Sequence, residues 1–126
     1  MKFRDQLLDF TMELPRFGDD FARLSRFARI FVEEAPVRID VIAHALRARD
    51  GELLRQGAEG LKDALEALGA PEAAAIAEDV ARCGRAGDFA RAKMLVIALR
   101  RDVNDLVAGV KRWPPLVAAD KAEKSA

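Results

Sequence analysis

Residues 54–69 read LRQGAEGLKDALEALG. Leu54, Ala58, Leu61, Leu65 and Leu68 recur in alternating steps of four and three, which places all five on one face of an α-helix. Gly69 follows as a C′ residue, suited to the left-handed backbone that closes a helix. Asp50-Gly51 makes a tight connection before the stripe. A helix with a single apolar face must bury it against other elements, so the flanking sequence should supply partners.

It does so on both sides. Upstream, Phe21, Leu24, Ala28, Phe31, Ala35, Ile39, Ile42 and Leu46 keep helical phase straight through Pro36. The proline removes one backbone donor, and the preserved phase predicts one bent helix rather than two. Earlier still, Phe3, Leu7, Phe10 and Leu14 mark a short helix that stops at Pro15, and Gly18-Asp19-Asp20 supplies a break and an N-cap. Downstream, Pro71 suits a first helical turn, and Ala73, Ile76, Val80 and Cys83 line the helix that follows. Gly84 and Gly87 are read as bracketing a turn, with Asp88 capping the last helix. That helix carries Ala92, Val96, Leu99, Val103, Leu106, Val110 and Trp113, and ends at Trp113-Pro114-Pro115. No alternating run, Asn-Gly hairpin signal or fixed-period repeat interrupts the pattern.

The expected fold is therefore all-α: an antiparallel up-down four-helix bundle with a short additional N-terminal helix across one end. Residues 1–115 form the bundle, and residues 116–126, small and charged, form a frayed tail.

Composition narrows the function. A chain of 126 residues, 51% apolar and 33% charged, fits one globular domain. It has no apolar run of the ~20 residues a membrane span needs. Its N-terminus has early charges and no signal core, so a cytoplasmic location is expected. Cys83 is the only cysteine, which excludes an internal disulfide and a cysteine-cluster metal site. Twenty-one basic residues balance twenty-one acidic ones, so no general field invites nucleic acid, and a protein partner is expected.

Several segments together resemble the histidine-containing phosphotransfer (Hpt) family, over roughly Leu8 to Trp113. They are Arg16-Phe17-Gly18-Asp19-Asp20, Phe31-Val32-Glu33-Glu34-Ala35-Pro36, Ala58 to Asp63, Leu68-Gly69-Ala70 and Arg85-Ala86-Gly87-Asp88. In that family the active helix carries a pattern like A-H-x-L-K-G. Its histidine takes a phosphoryl group from a receiver-domain aspartate or a kinase and passes it on. The lysine lies beside the phosphate, and the glycine leaves room for the docking receiver. Carried over by resemblance, Lys62 keeps the lysine's role, Glu59 stands where the histidine should be, and Asp63 replaces the glycine. The resemblance implies a receiver domain or histidine kinase as partner and no cofactor.

At about 100 degrees per residue, Glu59 points well away from the Leu54–Leu68 stripe, and Lys62 and Asp63 also lie outside it. An imidazole nitrogen is a nucleophile while its ring is uncharged; a glutamate is already an anion near neutral pH and cannot form a phosphoramidate. It could in principle form an acyl phosphate, but receivers do that with a bound metal and an acid cluster. Glu59 holds about one negative charge, against up to about two for a phosphoryl group, so it could mimic part of the phosphohistidine. The bland alternative is that Arg55, Glu59, Lys62 and Glu66 form an ordinary exposed stripe of i,i+3 and i,i+4 charge pairs.

His44, the one histidine, lies nearly opposite the Ile39–Ile42–Leu46 stripe, with Arg47 three residues on. It is an alternative acceptor or, more simply, a solvated surface residue; one histidine cannot make a zinc site. Cys83 reads as a small core residue, with Arg82 and Arg85 giving weak support for a reactive thiol. Phe21 and Phe31 read as core. Phe27 lies off the main stripe, against the first helix or on a partner surface. Arg100, Arg101, Lys111 and Arg112 are offset by Asp102 and Asp105 and read as a solvated face.

The expected function is that of a non-enzymatic pseudo-phosphotransferase of two-component signalling. It binds its partner through Arg55, Gln56, Glu59, Gly60, Lys62 and Asp63 without accepting phosphate at the usual site. The alternatives are an active phosphotransfer protein using His44 and a helical bundle whose role is assembly, including self-association.

Overall fold

The computed structural model describes residues 21–113. Within them the chain forms α1 (Phe21–Ala48), α2 (Gly51–Leu68), α3 (Pro71–Ala86) and α4 (Phe89–Lys111), with no strand. The expected N-terminal helix and C-terminal tail lie outside the described residues. Each link is two residues long, so every helix turns straight back on its predecessor. α1 packs against α2 and α4, and α3 packs against the same two, which closes an antiparallel up-down four-helix bundle.

Local chemistry accounts for the boundaries. Asp50 caps α2, its side chain accepting from the Leu53 amide at 3.0 Å, and Asp88 caps α4 by accepting from the Arg91 amide at 3.1 Å. α2 and α3 both end on a left-handed glycine, Gly69 at φ 84° and Gly87 at φ 72°. Pro71 opens α3, where its missing N–H leaves no extra orphan. α1 runs unbroken through Pro36.

The stripes form the core. Ala28, Phe31, Ala35, Ile39 and Ile42 of α1 are buried, and Leu46 packs partly buried against them. All five stripe residues of α2 are buried. So is the whole predicted stripe of α4, with Trp113 closing its end. Phe27 is half-buried against the core.

Two details of α3 differ from the sequence reading. Its buried face runs through Ala73, Ala74, Ala77, Val80, Ala81, Cys83 and Gly84, while Ile76 is only partly buried. A helix wedged between two neighbours buries a wide face, and small alanines let those neighbours come close. Gly84 also does not bracket a turn: it lies inside α3, where the backbones of α2 and α3 nearly touch. A Cβ on Gly84 would sit 2.7 Å from the Gly51 carbonyl oxygen and 2.9 Å from the Arg55 amide nitrogen. A Cβ on Gly51 would sit 2.5 Å from the Gly84 carbonyl oxygen. This glycine-on-glycine crossing sets the spacing between the start of α2 and the end of α3, and so the setting of the site.

Candidate functional site

The site is the outward side of α2, flanked by α3 on one side and α1 on the other. Glu59 is half-buried there, its side chain 34% exposed. One carboxylate oxygen, Oε2, accepts from Nη1 of Arg55, one turn back on the same helix, at 2.6 Å. The other, Oε1, accepts from Nη2 of Arg85, in the last turn of α3. The carboxylate is thus gripped by two guanidinium groups from two helices.

Arg55 is itself steered. Its Nε donates to Oε2 of Glu52 at 3.0 Å and its Nη2 to Oε1 of the same residue, leaving Nη1 aimed at Glu59. The hydrogen bond from Arg55, with a second from Gln56 at 3.0 Å, holds the Glu52 carboxyl down at about 2. The same bond to Glu52 holds Arg55 more firmly protonated than an ordinary arginine.

One turn on, Lys62 is tied to α3. Its Nζ lies 3.1 Å from Glu78 and 3.8 Å from Glu66. The bond to Glu78 raises the Lys62 pKa, and the Lys62 ammonium lowers that of Glu78. Glu78 in turn meets Arg82 at 3.4 Å.

The α1 side is different. Gly60 is half-buried beside Arg38, whose Nη1 would lie 2.6 Å from a Cβ at that position. Arg38 pairs with Glu34 at 3.5 Å. Asp63 is exposed, on the wall of an open groove of about 390 Å³ that Phe27, Ile30 and Ala64 also line.

Arg55, Gln56, Glu59, Gly60, Lys62 and Asp63 therefore share one outward band of α2. The expected same-helix pairs Arg55–Glu59 and Lys62–Glu66 are both present, at 2.6 and 3.8 Å. The cross-helix partners Arg85 and Glu78, and Arg38 beside Gly60, were not anticipated. A signal for one of them existed. Lys62 and Glu78 stand eight residues either side of Ala70, and an antiparallel hairpin brings equidistant residues together. Arg85 lies one turn beyond the residue that would face Glu59 by the same rule, and its long side chain covers the difference.

His44 is exposed near the C-terminal end of α1 and belongs to none of these ion pairs. Cys83 is buried, and that burial pushes its thiol pKa up, away from the range of a reactive thiolate. Among the described residues there is no group of three or more His, Cys, Asp or Glu that could hold a metal ion. None of the described helices is long and apolar enough to cross a membrane.

The model of the Hpt domain family matches residues 26–109, from early α1 to near the end of α4. The chain belongs to the Hpt domain family. No curated protein and no solved structure matches it. Hpt domains carry phosphoryl groups rather than acting as classical enzymes, and they interact with receiver domains and histidine kinases in two-component phosphorelays. Membership makes this a phosphotransfer-related signalling protein.

Proposed function

We propose that this Hpt domain is a pseudo-phosphotransfer module: it docks a receiver domain or histidine kinase on the α2 band without carrying phosphate there. The observation that supports the reading is Glu59, both of whose oxygens are engaged by arginines; by resemblance to the family pattern, we assign it the position of the phosphoacceptor histidine. A carboxylate offers no nitrogen nucleophile for a phosphoramidate. It does set a fixed negative group among cations, as a phosphoryl group on that helix would be set. The charge is not a loose surface charge: Arg55 and Arg85 hold it in place, so an approaching partner meets a preformed arrangement. Arg55, Gln56, Gly60, Lys62 and Asp63 complete the contact band. Asp63, where the family carries glycine, adds a charge and bulk that favour a partner with a matching basic group.

The test is a binding titration with receiver domains and histidine kinases from the same genome. We expect saturable binding of at least one, weakened by Glu59→Ala and by Lys62→Ala. Binding that both variants leave intact would place the partner surface elsewhere and defeat this reading.

A further inference from the structure

We propose that Arg55 and Arg85 form an oxyanion seat of which Glu59 is the built-in occupant, and that a phosphate-class dianion takes the seat when that carboxylate is withdrawn. The inference rests on the geometry of the two arginines and needs no receiver.

The two guanidinium groups approach the carboxylate from different helices, one oxygen each. A split grip of this kind matches an anion with several oxygens better than a single-point charge would. The seat is braced on both sides. Glu52 takes Nε and Nη2 of Arg55 and fixes the plane of its fork. Arg85 directly follows Gly84, whose close approach to Gly51 and Arg55 fixes the height of the last turn of α3 against α2. Neither arginine is pinned by an apolar shell: the side chains are 28% and 47% exposed, so an anion can reach them from solvent.

Charge accounting points the same way. With Glu59 present, two carboxylates (Glu52 and Glu59) balance two guanidinium groups. Lys62 has its own acidic partners in Glu78 and Glu66. Without Glu59, Nη1 of Arg55 and Nη2 of Arg85 lose their shared acceptor, and the site loses one negative charge. A phosphate-class dianion more than makes up that loss and brings enough oxygens for both forks.

The experiment is an NMR titration of the Nε–H signals of Arg55 and Arg85 with inorganic phosphate at constant ionic strength, in the wild type, Glu59→Ala and Glu59→Ala/Arg85→Gln. Circular dichroism of each variant checks that the bundle is intact, and Glu59→Gln serves as the second variant if the alanine form does not fold. The seat predicts saturable shifts in the Glu59 variant with an affinity at least about tenfold tighter than in the wild type, a difference of ~1.4 kcal/mol. It also predicts loss of saturation when Arg85 is removed. Equal affinity in wild type and variant, shifts that never saturate, or saturation that survives Arg85→Gln would each overturn the proposal. Because no receiver is present, failure here is separate from failure of the docking reading.

Discussion

Replacing Gly84 by alanine tests how the fold sets the site. In the interior of a helix, alanine is favoured over glycine by about 0.5–1 kcal/mol, so propensity alone predicts a more stable protein. The crossing predicts the opposite. The new Cβ would lie 2.7 Å from the Gly51 oxygen and 2.9 Å from the Arg55 nitrogen, against 3.4 Å where ordinary contact begins, so the backbones must part by about 0.7 Å. Both obstacles are main chain, so no side chain can swing aside. Overpacking of this kind costs about 1–3 kcal/mol, and two main-chain obstacles put it in the upper part of that range, about 2–3 kcal/mol, which leaves a net loss of about 1–2 kcal/mol after a propensity gain of up to about 1 kcal/mol. For a domain of this size that is a fall in Tm of about 5–15 °C. Gly60→Ala is the control. Its Cβ would lie 2.6 Å from Nη1 of Arg38, the free end of a long side chain, which can move. That variant should gain about 0.5–1 kcal/mol. Thermal and denaturant melts followed by circular dichroism read both. A Gly84→Ala protein as stable as the wild type, or more so, would refute the crossing and with it the account of how Arg85 is positioned.

Other consequences are simpler. Leu61 is fully buried, so Leu61→Ala should cost about 2–5 kcal/mol in a denaturant melt. The Glu52 carboxyl is held at about 2 in the folded chain, below its unfolded value of about 4.3, so the stability it contributes is present above the unfolded value and fades as pH falls toward 2. Melts across that acid range should show a shallower loss for Glu52→Gln than for the wild type. Asp102 has the opposite sign: burial, with Asp105 and Glu72 nearby, raises its pKa, so its ionised form disfavours folding once pH exceeds the unfolded value. Asp102→Asn should therefore raise Tm at pH ~7 and leave it unchanged at pH ~3.

The fold was legible because each helix of the described bundle carries its own stripe and its own punctuation. The α2 stripe matches that helix's buried residues one for one, and every α4 stripe residue is buried, although α4 also buries Val107, a position off its stripe. α3 was read less well. Its alanines give weak periodicity, and a helix pressed between two others buries positions that a one-face pattern assigns to solvent. Gly84 misled for a related reason: glycine suggests a turn, but here it serves a close backbone approach, which depends on a residue more than thirty positions away. At the site, Glu59 and Lys62 were placed by helical angle alone. Arg85 was not, because its role depends on the register of α2 against α3 and on side-chain reach.

Whether phosphate ever rests on this chain separates a docking module from a carrier. Incubating the chain with a receiver domain carrying a radiolabelled phosphoryl group, then separating the proteins under conditions that preserve phosphohistidine, tests it directly. A docking module gives a receiver complex with no label on this chain, and label on a histidine once Glu59→His restores the nitrogen. Stable label on the wild-type chain, lost in His44→Gln, would contradict the docking reading.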